Sequence, residues 1–341
     1  MGDGEWGYER PASLTGLSAS LSGSGEVLVI GGGTDIVPAV KRGTVHPATL
    51  VSTLRVPEFG EIREEDESVG VGSAVSLDTL ARSHLARERY PALVQAASTL
   101  ASRQIRNRGT VGGNLCLETR CDYYNKSAFW RKEYPGCRKA GGDSCYVVPR
   151  GTGCHALHSG DLAPAFMAYR AQAEVLSTGG EKTLLPLEDL YSDSGLHSTV
   201  LEPREVLVRA LLPPSDHTRA VFLRWAPRET IDFPSVTVAA AVGPEWSRLI
   251  VGHVLPRPVR VVAAEGPVRR LVSGEDARGE DDSAEVRVEE IAQTVVDSLD
   301  MKSAHRGAVW HKKNVIRTLV RRALYALRAD EGERRIKEGG A

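Results

Sequence analysis

The 341-residue chain is notable first for what it lacks. No stretch approaches the ~20 consecutive apolar residues of a membrane span, so no membrane association is expected. The segment from Met1 to Arg10 is acidic and glycine-rich, without the basic start and apolar core of a signal peptide. The expected location is the cytoplasm. Neither sign of charge dominates, since 43 Lys and Arg stand against 44 Asp and Glu for a formal net charge of −1. Broad electrostatic binding of nucleic acid needs a basic footprint, so nucleic acid is not an expected partner. No nucleophile–base constellation stands out as a catalytic centre, and no internal repeat is visible. Cysteine is absent from most of the chain. All five, Cys116, Cys121, Cys137, Cys145 and Cys154, fall within 39 residues. A secreted scaffold would spread its cysteines in pairs, whereas an odd, clustered set points to metal or redox chemistry. Chance clustering of buried thiols is the plainer alternative.

What remains is an ordinary globular composition, 41% hydrophobic and 26% charged, long enough for two domains. Residues 26–30 read as a short buried strand, and residues 36–42 as a helix stopped by Gly43. A strand over 69–75 and helices over 77–86 and 91–102 follow. Beyond the cysteines come a helix over 161–169 and a strand over 173–177. The pattern changes near Pro213-Pro214 to strands over 220–225, 235–242 and 248–254. Helices over 259–272, 286–299 and 312–327 come next, an α+β order. GEDARGEDD, residues 274–282, reads as a solvated loop, and the charged tail from Arg328 as frayed.

Two glycine loops stand out. Gly31-Gly32-Gly33-Thr34-Asp35 links the first strand to the helix beginning at Ile36. Glycine lets a backbone approach a phosphate, and a helix start offers free N–H groups. The loop is neither a Walker A motif nor the dinucleotide fingerprint, and a plain tight turn explains it equally well. A second loop, Gly109-Thr110-Val111-Gly112-Gly113-Asn114, is followed later by Ser159-Gly160-Asp161. Two such loops can hold the two phosphates of a dinucleotide, with an Asp accepting hydroxyl hydrogens from its sugars. Asp161 also reads as a helix N-cap.

Soft thiolates select zinc or an iron–sulfur cluster. Cys121, Cys137, Cys145 and Cys154 have neither the paired spacing of a zinc ribbon nor a ferredoxin run, so the metal stays open. His155 and His158 are further candidates. Tyr123, Tyr124, Phe129, Trp130, Tyr134 and Tyr146 could shield a cluster or pack as a small core.

GGGTDIVPAVKRG at 31–43, RNRGTVGGN at 106–114 and SGDLAPA at 159–165 resemble the flavin-binding subunits of the molybdenum hydroxylase (xanthine dehydrogenase) family. RETIDFPSVTVAAAV at 228–242 and PRPVRVVAAE at 256–265 resemble that family's C-terminal domain. The segment from Cys116 to His158 is extra. It resembles the insertion of the branch represented by the 4-hydroxybenzoyl-CoA reductase β subunit.

The resemblance implies an α+β fold. A two-subdomain PCMH/VAO-type FAD-binding domain over 1–215, with an iron–sulfur insertion at 116–158, would precede a smaller C-terminal domain over 216–330 of the CO dehydrogenase flavoprotein type. A charged tail would cover 331–341. FAD would lie on Gly31, Gly32, Gly33, Thr34, Asp35 and Ile36, on Thr110, Val111, Gly112, Gly113 and Asn114, and on Asp161. A [4Fe–4S] cluster would take Cys121, Cys137, Cys145 and Cys154 as ligands, leaving Cys116 as a packed thiol. The implied partners are a molybdenum-cofactor catalytic subunit, a small [2Fe–2S] subunit and a ferredoxin-like electron donor, in a hetero-oligomer built as a dimer of heterotrimers. The implied activity is electron delivery for reductive dehydroxylation of an aromatic CoA thioester. The rival readings are a flavin subunit of a xanthine dehydrogenase-like or heterocycle hydroxylase and, in another class, a zinc-stapled nucleotide-binding module.

Overall fold

The computed structural model describes residues 6–133, 136–148, 150–228, 231–275, 284–302, 305 and 307–338, with residues 330–338 as backbone alone. Tyr134 and Glu229-Thr230 of the motifs above lie outside them.

The chain opens with β1 (Gly7–Glu9), α1 (Leu14–Leu21), β2 (Val27–Ile30), α2 (Ile36–Lys41) and β3 (Thr49–Ser52). Ser13 starts α1 by accepting a hydrogen bond from the Gly16 amide at 3.1 Å. Both β1 and β2 run parallel to β3, in the order β1-β3-β2. Parallel neighbours need a crossover, which the segment containing α2 supplies between β2 and β3. Residues 31–35 therefore sit just past the carboxyl end of a parallel strand, where open sheets receive ligands.

Next come β4 (Ile62–Glu65) and β5 (Ser68–Gly72). Helices α3 (Leu77–Arg82), α4 (His84–Arg89), α5 (Pro91–Thr99), α6 (Arg103–Arg108), α7 (Val111–Leu115), α8 (Ala128–Arg131) and α9 (Leu162–Ala168) follow. Strands β6 (Gln172–Leu176), β7 (Lys182–Pro186) and β8 (Val206–Leu212) complete an antiparallel sheet in the order β4-β5-β8-β6-β7. Residues of α3, α5, α7 and α9 fill the largest core with residues of this sheet. Within it Tyr90 meets Tyr169 edge to face at 5.1 Å and donates its hydroxyl hydrogen to the Pro213 carbonyl at 2.7 Å. The helix expected over 77–86 is two helices. Ser83 has extended backbone and caps α4 by accepting from the Ala86 amide at 3.2 Å.

The remaining elements are β9 (Arg219–Trp225), β10 (Val236–Val242), β11 (Ser247–Gly252) and β12 (Val259–Arg260), then α10 (Val262–Ser273), α11 (Ala284–Asp297) and α12 (Val309–Glu338). The four strands form an antiparallel sheet in the order β12-β11-β10-β9. The helix expected from 259 begins at Val262, because Val259 and Arg260 pair with Val251 and Ile250. Gly274, at φ +75°, ends α10, and residues 276–282 of the expected loop lie outside the described residues. The backbone of α12 continues through the segment expected to fray, which is rich in Arg and Glu, both helix formers. Every residue of β10 is buried, because its two faces serve different cores. Ala239 and Ala241 join the large core, with Phe222 and Ile250. Val236, Val238, Ala240 and Val242 join a second core with α10, α11 and α12. Among the described residues no helix is long and apolar enough to cross a membrane.

Candidate cofactor sites

The two glycine loops are pressed against each other. A Cβ on Gly31 would lie 2.5 Å from Thr110 Oγ1, and one on Gly32 only 1.5 Å from the Arg108 carbonyl oxygen. Gly112 is equally confined, with Ser73 Cβ 2.5 Å from where its own Cβ would be. Gly33 needs glycine for another reason, its φ of +75°. The sequence suggests that Gly32 makes room for a phosphate. The structure adds a second constraint: Gly32 lines the first cavity and also makes room for the backbone leading into the second loop. Thr110 caps α7, accepting from the Gly113 amide at 3.1 Å.

Two cavities open on this junction, of about 220 Å³ and about 390 Å³. Together they fall within the ~300–1,000 Å³ of small-molecule and cofactor sites. Gly31, Gly32, Gly33, Ile36 and Gly112 line the first, along with Cys116. Asn114, Asp161, Arg120 and Phe233 line the second. Thr34, Asp35, Thr110, Gly113 and Leu117 line both. Val111 lines neither; its side chain is fully buried in the large core.

Asn114 and Asp161 both line the second cavity, and it is Asn114, not Asp161, that caps α9. Asn114 Oδ1 accepts from the Leu162 amide at 2.9 Å and so satisfies the start of α9. Asp161 has helical backbone and makes no capping bond. Its carboxylate is buried on the wall of the second cavity. Oδ1 lies 3.0 Å from His253 Nε2 but makes no aligned hydrogen bond. A buried carboxylate oxygen in that condition wants a donor, and the sugar hydroxyls of a flavin dinucleotide are donors of the right kind. The residues present therefore fit FAD. Arg120 was missed by sequence reasoning. It pairs with Asp35, lies over the Phe233 ring at 4.8 Å and borders the second cavity. Its position immediately before Cys121 was the available signal.

Cys121, Cys137, Cys145 and Cys154 line one small, largely apolar cavity with Tyr123, Tyr124, Tyr146, Lys139 and His155. Cys116 stands apart in the first flavin cavity, where burial pushes its thiol up to about 12. Backbone N–H groups point at three of the four sulfurs. Tyr123 and Tyr124 donate to Cys121, Ala156 to Cys154, and Val148 to Cys145 at 3.4 Å. Burial pushes the Cys121 thiol up, and the nearby Cys154 and Cys137 push it further. Cys154 is raised likewise by burial, then by Cys145 and Cys137, against the pull of Lys139. The Lys139 ammonium is nearly buried and donates to Thr119 Oγ1 at 2.6 Å and to the Leu196 and Gly195 carbonyls at 2.7 and 2.9 Å. Among the described residues no three His, Cys, Asp or Glu side chains converge on a single ion position.

Phe129 and Trp130 do not shield this cavity, being 70% and 58% exposed. His158 is no ligand candidate either. It is fully buried, edge to face with Tyr191 at 5.0 Å, and burial with His253 nearby lowers its imidazole to about 3. The insertion is tied down at its edges. Tyr124 donates its hydroxyl hydrogen to the Thr44 carbonyl at 3.1 Å, Arg131 donates to the Gly43 carbonyl at 3.0 Å, and the Asp122 carboxylate meets His305 Nδ1 at 2.7 Å.

The paired glycine loops, the divided cavity and the buried carboxylate define a flavin-dinucleotide-binding chain. The FAD-binding domain of molybdopterin dehydrogenases matches residues 4–215. The chain is 30% identical over 274 residues to the aldehyde oxidoreductase FAD-binding subunit PaoB of Escherichia coli (strain K12), covering 76% of this chain and 84% of that protein. It is 23% identical to the xanthine dehydrogenase FAD-binding subunit of Escherichia coli O157:H7, covering 93% and 94%. Quinoline 2-oxidoreductase from Pseudomonas putida 86 has the same fold, with a TM-score of 0.73 at 20% identity over 96% of this chain and 98% of that one. This chain belongs to the FAD-binding subunits of the molybdenum hydroxylase (xanthine dehydrogenase) family, and is an oxidoreductase subunit with FAD as cofactor. Its α+β architecture is that family's flavin-binding fold.

Proposed function

We propose that this chain is the FAD- and [4Fe–4S]-carrying electron-transfer subunit of a molybdenum-containing aromatic dehydroxylase, acting in the reduction of 4-hydroxybenzoyl-CoA or a related aromatic CoA thioester. In this reading residues 1–215 hold FAD, 116–158 hold the cluster and 216–330 form the smaller C-terminal domain. The supporting observation is the sorting of the cysteines. Four line one cavity with N–H donors on three sulfurs, while Cys116 lines a flavin cavity. Hydrogen bonds to sulfur stabilise thiolates and tune the clusters they bind.

Cys121, Cys137, Cys145 and Cys154 would hold the cluster. Gly31 to Ile36 and Thr110 to Asn114 would border FAD, and Asp161 would accept from its hydroxyls. When bound, the two groups supply one-electron and one- or two-electron transfer respectively. The chain's own residues hold them, exclude water and keep them close. Tyr123, Tyr124 and Tyr146 wall the thiol cavity. Lys139 sets a positive charge beside the thiols, which favours thiolate. Leu117 lines both flavin cavities and Cys121 follows four residues later, so their Cα atoms are at most ~14 Å apart.

The two Escherichia coli relatives are named as FAD-binding subunits, and carbon monoxide dehydrogenase of Hydrogenophaga pseudoflava contributes a medium chain. Those names support a multi-subunit assembly; in this reading its other members are a molybdenum-cofactor subunit and a small [2Fe–2S] subunit, in a cytoplasmic dimer of heterotrimers fed by a ferredoxin-like donor. The test is anaerobic purification, followed by metal and flavin analysis and electron paramagnetic resonance. The expected result is FAD with about four irons per chain. Zinc without iron would overturn the cluster and favour the zinc-stapled reading. For the substrate, the assembled complex should dehydroxylate 4-hydroxybenzoyl-CoA with a low-potential one-electron donor. Oxidation of a purine or aldehyde without that activity would defeat the assignment.

A further inference from the structure

We infer that His253 is a positioning residue for the flavin site, reaching across from the C-terminal sheet to fix the Asp161 carboxylate on the cavity wall. The inference rests on the reading of Asp161 as a cofactor ligand.

Four observations carry it. First, Asp161 is free of the task its position suggests. Asn114 satisfies the start of α9, so the Asp161 carboxylate is available to the cavity. Second, the group facing it is buried and comes from elsewhere in the fold. His253 Nε2 lies 3.0 Å from Asp161 Oδ1, both residues are at most 5% exposed, and His253 directly follows β11. This oxygen has no aligned donor in the fold, so an Nε2–H at this distance is the group on hand to hold it where water does not compete.

Third, the imidazole is held from its other edge. Thr237 Oγ1, fully buried on β10, is 3.2 Å from His253 Nδ1. A hydroxyl suits either ring state, donating to a bare Nδ1 or accepting from a protonated one. The ring is thus fixed between a hydroxyl and a carboxylate. Fourth, His253 sits at φ +69°, a conformation costly for a non-glycine residue. The surroundings enforce it. A Cβ on Gly252 would lie 2.4 Å from Thr237 Oγ1 and 2.8 Å from Pro164, so this segment is wedged against β10 and α9. Two residues beyond His253, the Leu255 carbonyl accepts from the His158 amide at 3.0 Å. The segment carrying His253 is therefore clamped onto the segment carrying Asp161 from both ends. His158, alongside, stays neutral near pH 7 and adds no competing charge.

In terms of function, docking of the C-terminal sheet and capture of FAD are one event. The sheet supplies the group that holds the carboxylate which meets the cofactor.

The test uses the full chain, stripped of flavin and titrated with FAD by fluorescence, with thermal melting of each stripped variant as a control. Asp161→Ala should raise the FAD dissociation constant at least about tenfold, as expected for loss of a charged hydrogen-bond acceptor. His253→Asn tolerates φ above zero but is too short to reach, and should raise it about five- to tenfold. His253→Gln restores an N–H at similar reach and should recover most of the affinity. Thr237→Val removes only the Nδ1 partner and should give a smaller loss in the same direction, and it reports on the mechanism if His253→Asn melts too low to titrate. The double variant Asp161→Ala, His253→Asn should be no weaker than Asp161→Ala alone, because His253 acts through that carboxylate. Wild-type affinity in His253→Asn, or full additivity in the double variant, overturns the positioning role while leaving Asp161 as a ligand. Wild-type affinity in Asp161→Ala removes the cofactor role of Asp161 and the positioning role with it.

Discussion

The flavin cavities and the thiol cavity are neighbours along the chain and are built on opposite plans. The flavin cavities are made of backbone. Their loops end a parallel strand and start a helix, they lock together through glycines with no room for a Cβ, and a large core supports them from below. The thiol cavity is made of side chains. Around it the described residues form a four-residue helix and a short turn of 3₁₀ helix at Arg138–Ala140, and its order comes from ties at its edges. A long loop without its own secondary structure needs a reason to be ordered. The first site is preorganised by folding; on the proposed reading the second would be completed by the cluster it holds.

The sharpest way to break this contrast is at the cysteines. Cys121→Ser, Cys137→Ser, Cys145→Ser and Cys154→Ser should each lose or convert the cluster, while Cys116→Ser keeps it and all five keep FAD. Iron and flavin analysis of the purified variants decides it. Loss of iron in Cys116→Ser with retention in any of the others would erase the distinction. These four variants should also become protease-sensitive between Arg120 and His155, whereas flavin removal should leave that segment protected.

Gly32→Val attacks the other plan. A Cβ there meets the Arg108 carbonyl whether or not flavin is present. The stripped variant should therefore lose several kcal/mol of stability, about 2–4, in addition to its flavin. A variant as stable as wild type when stripped, but unable to hold FAD, would return Gly32 to a phosphate-binding role.

A smaller effect comes from pH. The His158 imidazole titrates near 3 in the fold, well below its ordinary 6.5, because burial disfavours its charged form. Above pH 6.5 neither state is protonated there and stability is complete. As the pH falls from 6.5 toward 3, the unfolded chain takes up a proton that the fold refuses, and stability is lost. At pH 5 this residue should cost about 2 kcal/mol relative to pH 7. Urea denaturation of wild type and His158→Gln at both values should isolate that difference.

The smallest expected effect is at the residue that joins the two sites. Arg120→Ala removes the partner of Asp35 and should weaken FAD binding by about threefold to tenfold while iron content is maintained. Equal loss of both cofactors would mean that the sites are less separate than their construction suggests.

How much of this was legible in the sequence follows the same divide. Strands such as β10 and helices such as α9 were readable because their apolar runs are long and bounded by turn residues. The paired glycine loops were visible as motifs, but not the fact that they pack on each other, since sequence spacing carries no information on a contact between Gly32 and Arg108. The grouping of four thiols apart from a fifth was expected from resemblance alone. That the Val111 side chain turns into the core was not readable, because a motif does not say which of its residues point inward. For Asp161 the sequence left a cap and a cofactor contact open, because Asp and Asn both cap helices and only geometry shows that Asn114 bonds the start of α9. His253 left no trace in the sequence, lying ninety-two residues beyond the aspartate it faces.

The strand β10 has a consequence for how the molecule is made. Its Ala239 and Ala241 complete the same core as Val69, Leu93 and Phe166, together with Phe222 and Ile250. A ribosome releases the chain from its amino end at about 5–20 residues per second. A nascent chain that has emerged only to residue 215 still lacks these side chains, and the core beneath the flavin loops has an open face. That face closes only when Ile250 is available, several seconds later at the slower end of this range. The flavin-binding half is thus synthesised first but finished late, and a truncation at residue 215 should yield an aggregation-prone product rather than a small flavoprotein.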